Sequence, residues 1–205
     1  MIIQKRDYEI FKEVYRWRCI LGRHIKQLCG FKNTRTCDIR LKKLILGKYL
    51  QREKILYGTP SIYTLGHSAR ILTGVNKNKE HIRIDQIKHD ITVLDVACAV
   101  MKKSKLKTSQ ITTDKELHSL DGFGVRKHRP DFVVKNKTGM TAMEIELTPK
   151  ALDRLEKNVK DNYLNYASQQ WFIPKDQKKI HKMLTDLKKK YDNMKIYVLE
   201  EVINE

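Results

Sequence analysis

Three carboxylates fall at strand spacing within one short stretch of this chain. Residues 129–135 contain Phe132-Val-Val and read as a strand; residues 141–147 read as another, and Asn136-Lys-Thr-Gly139 reads as the turn between them. That turn sets Asp131 roughly opposite Glu144. The two-residue period then puts Asp131, Val133, Glu144 and Glu146 on one face, and Phe132, Val134, Met143, Ile145 and Leu147 on the other. Acids this close repel unless a cation compensates. A divalent ion held by such acids lowers the pKa of a bound water and stabilises charge developing on a phosphate. The wet face of a half-buried strand shows the same alternation, so periodicity alone leaves both readings open.

Several elements must position these acids. Residues 85–103 carry an apolar stripe of Ile87, Ile91, Leu94, Cys98 and Met101, and Asp85 is a candidate cap. Residues 102–108 are basic and read as a loop, and 109–112 as a short extended run. After the second strand, Thr148-Pro149 is expected to open a helix striped by Leu152, Leu155, Val159, Tyr163 and Tyr166. A strand at 170–173, a basic helix at 175–190 and a strand at 195–200 complete a small α/β layer structure.

The first half has a different composition. The net charge of the 205 residues is +18, and residues 1–80 hold +12 of it. Between Val14 and Arg52 stand eleven Lys or Arg and one acid, Asp38. Such density favours a polyanion, because each neutralised phosphate releases counterions. Residues 7–17 have helical spacing (Ile10, Phe11, Val14, Tyr15, Trp17). Residues 23–29 make a short helix with Ile25, Leu28 and Cys29 inward, and Gly30 stops it. Asn33 or Thr34 caps a third helix striped by Cys37, Leu41, Leu44 and Ile45, which Gly47 ends. Extended runs at 49–55 and 61–65 flank a turn at 56–60.

Helix, short helix, turn, helix and hairpin is the order of a winged helix-turn-helix. The third helix leaves Arg35, Asp38, Ile39 and Lys42 on its outer face, with Arg40 and Lys43 at the flanks. A helix in a major groove uses such a face, since Arg reads guanine edges and Lys holds phosphates. The candidate DNA contacts are Arg23, Lys26, Thr34, Arg35, Thr36, Arg40, Lys42 and Lys43, with Arg52 and Lys54 in the wing. A solvated face used for protein contacts is the plainer alternative.

Composition limits the remaining choices. Apolar residues are 40% and charged residues 32%, as in a folded, very soluble chain. No run of about 18 apolar residues spans a membrane, and Met1–Asp7 lacks the apolar stretch of a signal peptide, so a cytoplasmic location is expected. Cys19, Cys29, Cys37 and Cys98 form no C-x-x-C pair and read as reduced core thiols. A zinc site of Cys19, Cys29, Cys37 and His24 matches no common finger spacing.

The segment His128-Arg-Pro-Asp131, the hairpin, Glu144-Ile-Glu146-Leu-Thr148, the following Lys-rich helix and Tyr163 resemble the PD-(D/E)xK nuclease-like fold. Taken with the winged module, Arg40-Leu-x-x-Leu44, Ile62-Tyr-Thr-Leu-Gly66 and His89, the chain resembles the replication-relaxation family of plasmid and mobile-element proteins over about residues 5–200. The resemblance implies an α+β protein with a DNA-binding domain at 1–73, a linker at 74–84 and a nuclease-like α/β domain at 85–205. It puts Asp131 and Glu144 at the metal positions, with Glu116 a further ligand. Position 146, where such nucleases carry Lys, holds Glu. Lys150 is a candidate substitute.

That departure weighs against catalysis. The first reading is therefore a double-stranded-DNA-binding protein of a plasmid, phage or conjugative element, serving replication, mobilisation or transcription control. The second is a Mg²⁺- or Mn²⁺-dependent endonuclease or nickase using Asp131, Glu144, Glu146 and Lys150. The third is a protein-interaction module without nucleic acid. No cofactor is required unless the acidic site is active. A second copy of the chain and other replication or mobilisation proteins are candidate partners, and a membrane is not.

Overall fold

A computed structural model describes residues 2–55, 57–75, 82–121 and 128–204. Its mixture of helix and sheet is α+β. It divides into two compact units, Met1–Leu94 and Asp95–Glu205.

The first unit opens with α1 (Lys5–Arg16), β1 (Ile20–Leu21), α2 (Gly22–Leu28) and α3 (Thr34–Leu46). In α1, Ile10, Phe11 and Val14 are buried at helical spacing. Asn33 caps α3, its Oδ1 accepting from the Thr36 N–H at 2.8 Å, and Cys37, Leu41 and Leu44 bury its inner face. The expected inward residues Leu28, Cys29 and Ile45 are only half-buried. The strands β2 (Leu50–Glu53) and β3 (Ile62–Leu65) pair antiparallel with Arg52 opposite Tyr63, and β1 adds to the far side of β3. Of the expected turn at 56–60, Leu56 lies outside the described residues.

The helix α4 (His67–Thr73) follows β3 directly. Gly66 makes this possible: a Cβ there would sit 2.2 Å from the Lys48 carbonyl oxygen. Of the expected linker at 74–84, residues 76–81 lie outside the described residues.

A long helix, α5 (Ile87–Ser104), begins in the first unit and ends in the second. The expected domain start at residue 85 is thus displaced. Ile87 and Ile91 join Cys19, Leu21 and Ile62 in one buried cluster, so the opening turns of α5 belong to the core of the first unit. Asp85 is not the cap; it lies in a helical turn, Ile84–Gln86, and pairs with Arg83 at 3.0 Å.

The second unit holds a five-stranded sheet in sequence order: β4 (Ile111–Thr113), β5 (Phe132–Asn136), β6 (Gly139–Ile145), β7 (Ser168–Ile173) and β8 (Met194–Val198). The first three strands are antiparallel and the last two pairings parallel. Parallel pairing needs crossovers, supplied by α7 (Leu152–Asn165) and α8 (Lys178–Lys188). Between β4 and β5 runs α6 (Asp114–Asp121), and α9 (Leu199–Ile203) ends the described chain.

Leu155, Val159, Trp171, Ile173, Ile180 and Leu184 form the core beneath α7 and α8. Two expectations for α7 need correction. The helix starts at Leu152, not at Thr148-Pro149. Its buried stripe is Leu155, Asn158, Val159 and Asn162, whereas Leu152 and Tyr163 are exposed.

Candidate functional site

The register of β5 with β6 pairs Phe132 with Met143, which carries Asp131 to the place opposite Glu144. Strand alternation turns Glu144 to the same side as its β7 partner Trp171, under α7. Glu144 and Glu146 are both buried, at 5% and 3% exposure. This face is therefore not a wet strand surface, and each acid must be compensated where it stands.

The compensation is specific. Glu144 Oε1 lies 2.6 Å from His128 Nε2 and accepts from Asn162 Nδ2 at 2.8 Å. Burial pushes the Glu144 carboxyl above the usual range, against the opposing pull of His128, and nearby Asp131 adds to the rise. Asp131 Oδ2 accepts from the Ile145 backbone N–H at 2.7 Å. Lys150 Nζ reaches back to Glu146 Oε2 at 2.5 Å. Arg129 Nε donates to Asp121 Oδ2 at 2.6 Å at the end of α6. The Tyr166 hydroxyl is raised by burial and by the charges of Glu144 and Asp121. Among the described residues, no donor reaches the buried Asn162 Oδ1.

Glu116 is used differently. Its Oε2 accepts from the Thr113 N–H at 2.8 Å and the Thr113 hydroxyl at 3.0 Å, capping α6 as a capping box does. One oxygen of each of Glu116, Asp131, Glu144 and Glu146 is thus held by a protein donor. Among the described residues, no group of three or more His, Cys, Asp or Glu side chains is placed to hold a metal ion. With Glu146 paired to Lys150, and Glu144 to His128 and Asn162, these acids are compensated without an ion.

Sequence reasoning missed His128, Asn162 and Tyr166 as members of this cluster. Asn158 and Asn162, four apart on the stripe that carries Leu155 and Val159, were the available signal: two amides on an otherwise apolar stripe mark a buried polar face.

The cationic face of the first unit is built around α3. Thr34, Arg35, Thr36, Asp38, Ile39, Lys42 and Lys43 are exposed on it. Arg23, Arg52 and Lys54 are also exposed, and Lys26 is half-buried. The Lys54 ammonium lies 5.7 Å from the ring centroid of Tyr57, which is fully exposed in the turn after β2. A cleft of about 470 Å³ beside β2 has Lys48, Arg52, Glu53 and His67 in its lining.

Two of the counted cations do not serve that face. Arg40 is a correction to the candidate contacts: its Nε donates to Asp7 Oδ1 at 2.7 Å and its Nη2 to Asp7 Oδ2. Asp7 is fully buried, so this guanidinium ties α3 to the start of α1 instead of facing outward. Arg16 is buried against Glu13 at 3.0 Å, and Glu13 also accepts from Trp17 Nε1 at 3.2 Å. Thr36 spends its N–H and hydroxyl on Asn33.

The cysteines are free. Burial pushes the Cys19 and Cys29 thiols up to about 12 and Cys37 up to about 11, and His24 Nδ1 accepts from the Leu21 N–H at 3.2 Å. Among the described residues, no three of Cys19, Cys29, Cys37 and His24 are gathered to hold a metal ion. Among the described residues, no helix is long and apolar enough to cross a membrane.

No protein-family model matches the chain, and neither a curated protein nor a solved structure shows significant similarity to it.

Proposed function

We propose that this protein binds duplex DNA through α3 in a winged helix-turn-helix, and that its second unit keeps a nuclease-like fold without cutting. The observation that carries the reading is the division of α3. Cys37, Leu41 and Leu44 hold it to its unit, while Arg35, Lys42 and Lys43 stand exposed on the faces turned away. A helix so divided can enter a major groove with its core intact. The antiparallel β2–β3 hairpin, with exposed Arg52 and Lys54 at its outer end, supports the role of a wing holding phosphates.

The resemblance to replication-relaxation proteins points to a plasmid, phage or conjugative element, with a part in replication, mobilisation or transcription control. The antiparallel-then-parallel order of β4–β7, with Asp131 opposite Glu144, supports a PD-(D/E)xK-like reading of the second unit. Glu at position 146, paired to Lys150, and the His128–Glu144 contact speak against hydrolysis there. In that reading the unit clamps DNA or joins protein partners.

The second reading, a metal-dependent endonuclease or nickase, draws on the same opposed acids. One assay separates the two. The protein is incubated with supercoiled and linear plasmid in Mg²⁺, Mn²⁺ or EDTA. Band shifts that do not depend on the metal, with no nicking or linearisation, are expected. Mn²⁺-dependent cleavage lost in both Asp131→Asn and Glu144→Gln would make the protein a nuclease.

A further inference from the structure

We infer that Ile39 reads the C5-methyl group of a pyrimidine in the major groove, making it a specificity-determining residue of α3. This rests on the DNA-binding reading above.

Ile39 is 47% exposed in the middle of a well-formed helix. Its neighbours one turn away on either side are Arg35, Thr36, Lys42 and Lys43, all exposed. A β-branched apolar residue is a poor choice for a solvated helix face, since Lys, Arg, Glu or Gln is better hydrated and has higher helix propensity. Within this cationic surround Ile39 offers neither charge nor a hydrogen bond. It offers an apolar contact that surrounding phosphate-holding groups would press against a base edge.

The major groove presents one apolar feature, the methyl on C5 of thymine, and 5-methylcytosine presents the same methyl at the same carbon. Position in the helix supports Ile39 over the other exposed apolar residue of α3. Leu46 is 84% exposed but is the last residue of the helix, whereas base contacts come from the N-terminal part of a recognition helix. Asp38, exposed beside Ile39, is a hydrogen-bond acceptor suited to the N4 amino group of a cytosine. A methylated cytosine would satisfy both residues, and a thymine would satisfy Ile39 alone.

The test uses the full chain. Preferred duplexes are selected from a random pool, and the affinities of wild type and Ile39→Ala are compared on them. Each thymine is replaced in turn by deoxyuridine, and each cytosine by 5-methylcytosine. For wild type, at least one position should show about a fourfold effect of the methyl, the worth of one buried carbon. Loss on deoxyuridine identifies thymine, and gain on 5-methylcytosine identifies the methylated base. Ile39→Ala should lose that sensitivity while keeping the wild-type salt dependence of binding, since Ile39 holds no phosphate. Wild-type affinity indifferent to the methyl at every position, or Ile39→Ala retaining the sensitivity, overturns the inference and leaves DNA binding standing. Absence of any duplex binding by wild type overturns both.

Discussion

Arg40 of α3 and Asp7 of α1 pair across 33 residues of sequence, two guanidinium contacts going to one fully buried carboxylate and a third, at 3.0 Å, to the Ile2 carbonyl. The arginine at the middle of α3 is therefore structural, and the cations on the helix's outer face are Arg35, Lys42 and Lys43.

Arg40→Ala should leave the buried Asp7 charge without its cation and destabilise the protein by about 3–5 kcal/mol. Arg35→Ala, on the exposed face, should stay within about 0.5 kcal/mol. Thermal unfolding checks both. The Asp7→Asn/Arg40→Ala double variant should recover part of the loss, because the stranded charge is gone. Equal melting temperatures for Arg40→Ala and Arg35→Ala would show that the pair is not structural.

Base reading and phosphate holding should separate by residue. Arg35→Ala should cost about 1–3 kcal/mol of discrimination on a selected site while altering random-duplex binding little. Arg52→Ala and Lys54→Ala should weaken all sequences alike, each lowering the log–log salt slope by about 0.9. Competition titrations against random duplex at several salt concentrations measure both quantities. Equal losses on selected and random duplex for Arg35→Ala would make it a phosphate contact.

For the buried acids, stability should depend on pH with a definite sign. The folded-state pKa of Glu144 is raised, chiefly by burial, so its contribution is fully present below the unfolded-state value and is lost as pH rises through the folded value. Gln at this position can accept from His128 and Asn162 without titrating. Glu144→Gln should thus melt above wild type at pH 8, and the gap should close on acidification toward pH 4. A gap of constant size, or one that widens in acid, would contradict the raised pKa.

Divalent ions should leave the fold unmoved. A specific ion stabilises by RT ln(1 + [L]/Kd), so millimolar Mg²⁺ on a working site would raise the melting temperature measurably. The expected result is no shift in wild type, Asp131→Asn or Glu146→Gln. Asp131→Ala should cost about 1–3 kcal/mol with or without Mg²⁺, because the Ile145 N–H loses its acceptor. A wild-type shift abolished by Asp131→Asn would establish a metal site.

Local rules were legible wherever one residue type decides the outcome. Asn33 caps α3, Gly47 closes it, and the short turn at 136–139 fixes the register that sets Asp131 opposite Glu144. What sequence hid was long-range. Nothing near Arg40 announces that Asp7, at the start of another helix, will claim it. Alternation marked Glu144 and Glu146 as sharing a face, but α7 buries that face, and only Asn158 and Asn162 hinted at it. The helix α4 escaped notice because its local pattern is short and Gly66 acts through a close approach to Lys48, which no neighbouring residue reveals.

The most direct test of the central proposal is the salt dependence of duplex binding by the full chain and by its Arg35→Ala/Lys42→Ala/Lys43→Ala variant. Both should keep the same melting temperature, since all three side chains are exposed. Wild type should bind with a steep negative log–log slope. The variant should bind more weakly, with a slope shallower by about 0.9 for each phosphate contact removed. A wild type without salt-dependent duplex binding, or a folded variant that binds as wild type does, would contradict the assignment of DNA binding to α3.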